Sequence, residues 1–191
     1  MKPVRASRAR RVLGVVAATM ALLATQFVVS SSASAATTNW WFRNVKTNKC
    51  LDAAGTHPGA WVIQYDCHWG QNQLWYYSTN SRGNSVIKNK ASNLCLSIDR
   101  ADGNYGTPLV LWYCDDNWSQ EWGRWEAGWA PNGEEQMVWL YSPHYDNLNR
   151  PRVVDVPAGT TQNGARMITW PQGSATADYN QLWTDHWHSY S

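Results

Sequence analysis

The tetrapeptide NQLW stands at residues 72–75 and again at residues 180–183, and a related stretch, SQEW, occupies residues 119–122 between them. Matching landmarks recur at similar offsets: 47 residues from Gln73 to Gln120, 47 from Cys67 to Cys114 and 45 from Cys50 to Cys95. A period in this range is typical of repeat architectures, in which one unit cannot bury its apolar face alone. The chain is therefore predicted to contain successive copies of one unit.

A third unit can be aligned with the first two near the C-terminal end. The correspondence is VVD at residues 153–155 with CLD at residues 50–52, Trp170 with Tyr65, and Gln181-Leu182-Trp183 with the earlier closing motifs. About eleven extra residues precede this unit when its spacing is compared with that of the second. We expect them in the loop around residues 128–136, GWAPNGEEQ.

The local pattern predicts strands throughout the repeats. Short runs rich in β-branched and aromatic residues, such as VIQY (62–65) and LVLWY (109–113), alternate with turn formers such as AGTHPG (54–59) and DGNYGTP (102–108). No segment of helical length has a 3.6-residue apolar period. An all-β fold follows, in which three units around a threefold axis close a barrel and remove the exposed strand edges.

Residues 1–35 have the layout of a cleaved secretory signal: a basic head, an apolar run and a final Ala33-Ser34-Ala35. A membrane anchor is the alternative, because the apolar run is about long enough to span a bilayer. Arg10-Arg11 leaves the export route open. Without this segment the chain carries 11 basic and 14 acidic side chains, a net charge of −3, which disfavours nucleic acid as a partner.

Four cysteines in an exported chain predict disulfides, because the destination is oxidising. Four cysteines allow three pairings. The spacing favours Cys50 with Cys67 and Cys95 with Cys114, since each pair encloses a similar segment at the same place in a repeat.

Three units with CLD or its counterpart, an aromatic residue two places before the second cysteine position, and a closing NQxW resemble the ricin-type (R-type) β-trefoil lectin domain. The resemblance covers about residues 39–187 and implies units of about 39–80, 81–127 and 137–187 within a domain of 36–191. It also implies a secreted carbohydrate-binding protein, with galactose-type sugars as the commonest ligands. No cofactor and no metal are implied.

The resemblance places an acid, an aromatic residue and an amide in each sugar site. Carboxylate oxygens accept hydroxyl donors, an asparagine both donates and accepts, and an aromatic ring covers the apolar face of the sugar. The implied ligand-binding residues are Asp52, Tyr65 and Asn72 in the first unit and Asp155, Trp170 and Asn180 in the third. The family often has a polar residue four places before the second cysteine, but this chain has Ile63 there and Gln64 one place later. Gln64 is not included, because a shift of one residue along a strand turns the side chain to the other face.

The second unit retains only the aromatic residue, Trp112. Ser97 replaces the acid and Ser119 replaces the amide. Asp99 lies two residues further on, which would put a carboxylate on the same face if the strand continues. We therefore expect this unit to be degenerate, with at most a weak site at Asp99, Trp112 and Ser119.

Several of these residues also have a purely structural interpretation. Buried tryptophan and glutamine side chains must satisfy their polar atoms, so the repeated pair is expected to be scaffold: Gln73, Trp75, Gln120, Trp122, Gln181 and Trp183. Asp52 and Asp155 could instead cap turns. Eight tryptophans have no assigned scaffold role, and several exposed together would form an aromatic patch: Trp40, Trp41, Trp61, Trp69, Trp118, Trp125, Trp129 and Trp187.

Two other classes of function compete with carbohydrate binding. Catalysis is disfavoured, because the adjacent acids Asp115-Asp116 and Glu134-Glu135 are typical of solvated turns and no HExxH or GxSxG motif occurs. The motif HWH at residues 186–188 would supply only half of a metal site. A trefoil that binds protein, such as the cell-targeting subunit of a secreted toxin complex, remains the alternative to a lectin that binds glycans.

Overall fold

The computed structural model describes residues 38–146 and 148–188, so the predicted signal segment lies outside the described residues. Within this part the chain forms twelve β-strands and five three-residue 3-10 turns. Every unit contributes four strands. They are β1 (Asn39–Asn44), β2 (Cys50–Ala53), β3 (Val62–Tyr65) and β4 (Trp75–Thr79); β5 (Ser85–Asn89), β6 (Cys95–Ile98), β7 (Leu109–Trp112) and β8 (Gly123–Trp129); and β9 (Gln136–Ser142), β10 (Arg152–Asp155), β11 (Ile168–Pro171) and β12 (Trp183–His188).

The first and fourth strands of the three units form a six-stranded antiparallel barrel. β12 pairs with β1, β1 with β4, β4 with β5, β8 with β9, and β9 with β12. In the second unit, an isolated bridge joins Val86 of β5 to Glu121, just before β8. Beside it, the Trp122 N–H donates to the Ser85 carbonyl at 3.0 Å. These contacts close the barrel at the second unit, although β8 has strand pairing along its length only with β9.

The second and third strands of each unit form a hairpin, and the three hairpins meet. Single antiparallel bridges join them in a ring: Trp61 to Val110, Pro108 to Ile168, and Arg166 back to Ile63. Each hairpin thus contacts both others around a pseudo-threefold axis. The predicted β-trefoil is confirmed.

The repeated tryptophans lie in the core that the barrel and hairpins share. Trp75 and Trp183 have no exposed surface and Trp122 is 1% exposed. Each indole N–H donates to a carbonyl in the second strand of its own unit: to Leu51 at 3.0 Å, to Leu96 at 2.9 Å and to Val154 at 3.2 Å. A buried indole can be tolerated in a core because its one polar atom is satisfied in this way.

Both predicted disulfides are confirmed. Cys50 pairs with Cys67 and Cys95 with Cys114, and each links the start of a hairpin strand to the segment that follows the hairpin. The third unit has Val153 and Gln172 at the corresponding positions, and its hairpin is held by strand pairing and packing.

The predicted position of the extra residues before the third unit is only partly correct. Residues 130–135 do form the turn between β8 and β9, and these strands have seven residues each, whereas β4 and β5 have five. The remaining length lies between β9 and β10, at residues 143–151, where the equivalent connections of the other units are shorter. The insertion is thus divided between a longer hairpin and a longer loop.

Within residues 38–146 and 148–188, none of the helical turns has the length or the apolar character needed to cross a membrane.

Candidate functional site

In the third unit, β10, β11 and a 3-10 turn bring the three expected residues together. Asp155 ends β10 and shares a hairpin face with Trp170, because the register pairs Val153 with Trp170 and Asp155 with Ile168. Asn180, in the turn Tyr179–Gln181, donates from Nδ2 to Asp155 Oδ2 at 3.0 Å. The Asp155 side chain is almost buried, at 3% exposure, whereas Trp170 is 46% exposed.

The first unit repeats this arrangement with one addition. Asn72 Nδ2 lies 3.0 Å from both carboxylate oxygens of Asp52, and Tyr65 is exposed on the same hairpin face. His68 is the addition, since its Nε2 lies 3.2 Å from Asp52 Oδ2 and its ring packs edge-on against Tyr65. His68 was not predicted as a site residue, and in the sequence only its position after Cys67 distinguishes it.

The glutamines of the first and third closing motifs bond to a site carboxylate as well as to the backbone. Gln73 Oε1 accepts the His68 N–H at 2.9 Å, and Gln73 Nε2 donates to the Asp66 carbonyl at 2.9 Å and to Asp52 Oδ2 at 2.9 Å. Gln181 does the same in the third unit, donating to Asp155 Oδ2 at 2.8 Å. The scaffold interpretation was therefore incomplete for these two glutamines, because each also orients a buried carboxylate.

The second unit lacks this carboxylate. Gln120 keeps the two backbone contacts, to the Tyr113 carbonyl at 2.7 Å and from the Asp115 N–H at 3.1 Å. Ser97 and Ser119 face each other instead, with their Oγ atoms 3.4 Å apart. The premise for Asp99 was wrong, since β6 ends at Ile98 and Asp99 begins a 3-10 turn. Asp99 nevertheless lines one pocket with Trp112 and Ser119.

Gln64, which the sequence analysis excluded, is fully buried and faces away from the first-unit site. Its amide nitrogen donates to the carbonyls of Thr160 and Gln162, and its oxygen accepts from Thr47 Oγ1 at 2.8 Å. These contacts join the first and third units, so the side chain has no capacity left for a ligand.

Each aromatic wall residue (Tyr65, Trp112 or Trp170) is supported by the hairpin loop of the preceding unit. The N–H groups of Gly59, Gly106 and Gly164 donate to the carbonyl of the residue just before Trp112, Trp170 and Tyr65, at 2.7, 2.7 and 2.9 Å. All three glycines have φ values above +80°, and a Cβ on Gly106 would lie 3.7 Å from the Trp170 ring. The positive φ is what favours glycine at these positions, because 3.7 Å is an ordinary van der Waals distance for a Cβ.

Burial changes the acidity of both site carboxyls. It raises the pKa of Asp155 to about 6, although the hydrogen bonds from Gln181 and Asn180 lower it; the Asp178 carboxylate raises this pKa further, and Lys46 lowers it. Burial also raises the pKa of Asp52, where the Gln73 hydrogen bond and the neighbouring His68 act in the opposite direction. Neither carboxylate accepts a backbone N–H from the described residues, as a turn cap would.

The other candidate groups have structural partners. Asp115 caps the Asn117 N–H, Asp116 accepts the Ser81 N–H, and Glu135 pairs with Arg43 and with His186. Among the described residues, no group of three or more histidine, cysteine, aspartate or glutamate side chains could hold a metal ion. The side chain of His188 lies outside the described residues.

Of the eight unassigned tryptophans, two are largely exposed: Trp69 at 52% and Trp129 at 65%. The others with described contacts are packed. Trp41 contacts Trp69, Trp125 stacks on Tyr141 at 3.9 Å, Trp118 packs on His144, and the Arg166 guanidinium covers Trp61 at 3.8 Å. The side chain of Trp187 lies outside the described residues. Among the described side chains, only these two of the eight tryptophans therefore have the exposure that an aromatic patch would need.

The fold and the repeated group of acid, amide and aromatic ring define a β-trefoil domain of the lectin class. The sequence profile of the family described as ricin-type beta-trefoil lectin domain-like matches residues 24–112 and, in an overlapping match, residues 72–170. The chain belongs to this family. The family points to carbohydrate binding.

The sequence relative described next matches a smaller part of this chain than the family profile does. The probable lipoprotein EnvE of Salmonella typhimurium is 39% identical over 75 residues, which covers 38% of this chain and 40% of the relative. The aligned stretch thus spans about two fifths of that protein's length.

Solved structures resemble this fold over most of the described chain. The designed threefold-symmetric protein ThreeFoil has a TM-score of 0.63 at 23% identity and covers 77% of this chain and 96% of its own. A mosquitocidal holotoxin has a TM-score of 0.63 at 17% identity and covers 81% of this chain but 18% of its own. The Macrolepiota procera ricin B-like lectin in complex with lactose has a TM-score of 0.59 at 22% identity and covers 77% and 93%. At these identities the likeness shows the fold alone.

Proposed function

We propose that this protein is a secreted lectin that binds galactose-type sugars through its first- and third-unit sites and has no catalytic activity. The observation that carries the proposal is the state of the Asp155 carboxylate. Its Oδ2 is held by two amides, while Oδ1 accepts no hydrogen bond from any described residue. A fixed carboxylate with one unoccupied oxygen, beside an exposed indole, matches a sugar with adjacent hydroxyls and an apolar ring face.

The two sites differ in how much acceptor capacity they offer. Asp52 Oδ2 receives hydrogen bonds from Asn72, Gln73 and His68, and Oδ1 receives one from Asn72. We therefore expect the third-unit site to bind more strongly. Each site is weak alone, and two sites on one rigid body would gain by avidity on a multivalent glycan surface.

Secretion is part of the proposal. Residues 1–35 would be removed as a signal and residues 36–191 would form the mature domain, with repeat units of about 39–80, 81–127 and 137–187. Two disulfides support this, because such bonds persist in oxidising compartments.

Binding to immobilised galactose and to lactose in solution tests the proposed function. Removing both exposed walls, Tyr65→Ala with Trp170→Ala, is expected to abolish retention, because each wall covers the apolar face of a sugar. Trp129→Ala is the matched control, since Trp129 is more exposed than either wall and belongs to no site. Retention that survives the double substitution, or a wild-type protein that ignores both sugars, would refute the proposal.

A protein-binding trefoil is the second candidate, and one observation favours it. The β8–β9 hairpin is longer than its counterparts and carries the exposed Trp129, a feature that the sugar sites do not use. In this case the protein would be a targeting subunit of a secreted complex. Indifference to all glycans, together with a defined partner chain that no longer copurifies after Trp129→Ala, would favour it over the lectin.

The affinity of the third-unit site should fall as the pH is lowered through 6. The carboxylate must be charged to accept hydroxyl donors, and burial raises the pKa of Asp155 to about 6. In a Tyr65→Ala background, which leaves the third site intact, lactose affinity measured by calorimetry should fall about tenfold between pH 7 and pH 5. Tryptophan fluorescence at each pH checks that the fold persists. A flat profile would contradict the assignment of Asp155 as the acceptor.

Removing His68 should strengthen the first-unit site. His68 Nδ1 accepts the Gly70 N–H at 3.2 Å, so Nε2 carries the proton and donates to Asp52 Oδ2. This bond competes with a sugar hydroxyl for Asp52. In a Trp170→Ala background, His68→Ala should therefore raise galactose affinity roughly three- to tenfold. His57→Ala, in the same unit but outside the site, is the control; unchanged or weaker binding by His68→Ala would show that the imidazole instead assists the sugar.

A further inference from the structure

The connection between β9 and β10, residues 143–151, is anchored on the second unit. His144 Nε2 lies 2.8 Å from Glu121 Oε2, in the closing motif of that unit. Arg152, the first residue of β10, donates from Nη2 to the Gly103 carbonyl at 2.7 Å and from Nη1 to the His144 carbonyl at 2.8 Å. The connection is longer here than in the other two units, so these contacts between units come from the insertion.

Asp146 lies in the middle of this connection and uses its two carboxylate oxygens differently. Oδ1 accepts the backbone N–H groups of Leu148 and Arg150, at 2.9 and 2.7 Å, which closes a local turn. Oδ2 accepts from Arg150 Nε at 3.0 Å and from the Tyr105 hydroxyl. One oxygen therefore shapes the connection, while the other fixes a side chain that belongs to the second unit.

The Tyr105 ring links this cluster to the aromatic wall of the third-unit site. Its centroid lies 6.1 Å from that of the Trp170 ring, and the two planes are tilted by 55°. The guanidinium groups of Arg150 and Arg152 lie 5.7 and 5.6 Å from the Tyr105 centroid, within the range of a cation–π attraction. Tyr105 is therefore held by several groups, whereas the neighbouring indole of Trp170 is 46% exposed.

This aromatic neighbour distinguishes the third-unit wall from the other two. Tyr105 directly precedes Gly106, the glycine of the preceding unit that supports Trp170. The residues that precede the two corresponding glycines are Pro58 and Asn163, neither of which has an aromatic ring. At this position, therefore, only Trp170 of the three wall residues receives a ring from the preceding unit.

An exposed side chain loses rotamer freedom when a ligand packs on it, and this loss weakens binding unless the side chain is already ordered. A fixed neighbour restricts the Trp170 indole before any ligand arrives. We propose that Tyr105 is a positioning residue for the third-unit site and that the insertion, through Asp146, holds it in place. The second unit, which lacks the carboxylate and the amide of a sugar site, thus contributes to binding at the next unit. This inference rests on the proposed function as a lectin.

Two substitutions interrupt this contact without removing a ring. Tyr105→Phe deletes only the hydroxyl, and Asp146→Asn removes the charged Oδ2 while its remaining oxygen can still close the local turn. In the Tyr65→Ala background, which leaves the third site intact, each should lower lactose affinity roughly three- to tenfold. Calorimetry should place the loss in the entropy of binding, because the wall must then be ordered by the sugar.

The double variant shows whether the two residues act through one bond. Once Tyr105→Phe has removed the hydrogen bond, adding Asp146→Asn should lower the affinity by less than about twofold further. Tyr145→Phe is the matched control, because Tyr145 lies on the same connection and its hydroxyl has no hydrogen-bond partner among the described residues. If Asp146→Asn does not fold, as judged by thermal denaturation, Tyr105→Phe and its control still decide the question.

The loss should be confined to the third-unit site, so Tyr105→Phe is also measured in the Trp170→Ala background, where the first-unit site remains. An equal loss there, or a lower thermal midpoint with unchanged lactose affinity at the third site, would assign Tyr105 a purely structural role and overturn the inference. In either case lactose binding by Tyr65→Ala would still uphold the proposed function. A wild-type protein that binds neither galactose nor lactose would overturn both.

Discussion

Replacing Asp155 with asparagine is expected to abolish sugar binding at the third-unit site and to make the protein more stable at neutral pH. Both amide donors reach the same oxygen, Oδ2, so an asparagine can keep these bonds with its own oxygen. Its NH2 group would then occupy the position of Oδ1 and present donors to a sugar hydroxyl. We expect the affinity of this site for galactose to fall by about a hundredfold or more, because an acceptor is replaced by a donor.

The gain in stability follows from the raised pKa of Asp155. For an acid whose pKa is higher in the folded state than in the unfolded state, folding is most favourable at low pH, and this advantage is lost as the pH rises through the folded-state pKa. With a shift from 3.8 to about 6, the charged form costs roughly 2–3 kcal/mol at pH 7. Asparagine does not bear this cost.

Thermal denaturation from pH 4 to pH 8 measures the effect. The variant should unfold roughly 5–10 °C higher than the wild type at pH 7, and the difference should vanish near pH 4, where Asp155 is protonated. Glu126→Gln is the control, since Glu126 is an exposed carboxylate on β8. A variant that is less stable at pH 7, or that still binds galactose in the Tyr65→Ala background, would contradict this account of the site.

Replacing Trp183 with alanine should destabilise the protein severely, whereas replacing Trp170 with alanine should not. Trp183 has no exposed surface, and its indole N–H satisfies the Val154 carbonyl. Its removal leaves a large cavity and an unpaired carbonyl, at a cost of about 3–5 kcal/mol. Trp170 is 46% exposed, so its loss should cost less than about 1 kcal/mol.

Thermal denaturation and galactose binding together separate these two roles. We expect the thermal midpoint of Trp183→Ala to fall by roughly 10 °C or more, with sugar binding retained per folded molecule below that temperature. Trp170→Ala should keep its midpoint and lose third-site binding. Trp183→Phe, which fills most of the cavity, should lie between wild type and Trp183→Ala. Equal stability of the two alanine variants would contradict the distinction between core and wall tryptophans.

The repeat and the fold could be predicted because they depend on patterns that recur along the chain. Three closing motifs in register, two matched cysteine pairs and the alternation of strands with turn formers are all local features. The position of the insertion was predicted less well, because extra length can be absorbed by any exposed hairpin or loop. The end of β6 at Ile98, on which the expectation for Asp99 depended, could not be predicted either, because the end of a short strand has no clear local signal.

The contacts within the candidate sites could not be read from residue spacing. The sequence shows the same closing glutamine in all three units (Gln73, Gln120 and Gln181). Only the structure shows that the amides of Gln73 and Gln181 also donate to a carboxylate, whereas that of Gln120 does not. The loops that support the wall residues come from the preceding unit, so the residues that contact each other are far apart in sequence.

By itself, the sequence determined the threefold repetition, the disulfide pairing and the presence of an acid, an aromatic residue and an amide in two units. These are chemical identities at regular intervals, and a linear chain displays them directly. Only the tertiary structure decided that Asp155 has an oxygen that accepts no hydrogen bond from the described residues, that His68 contacts Asp52, and that Ser97 and Ser119 face each other in the second unit. Such properties depend on which atoms meet after the chain has closed around its axis, because hydrogen-bond partnership and burial are relations between distant segments.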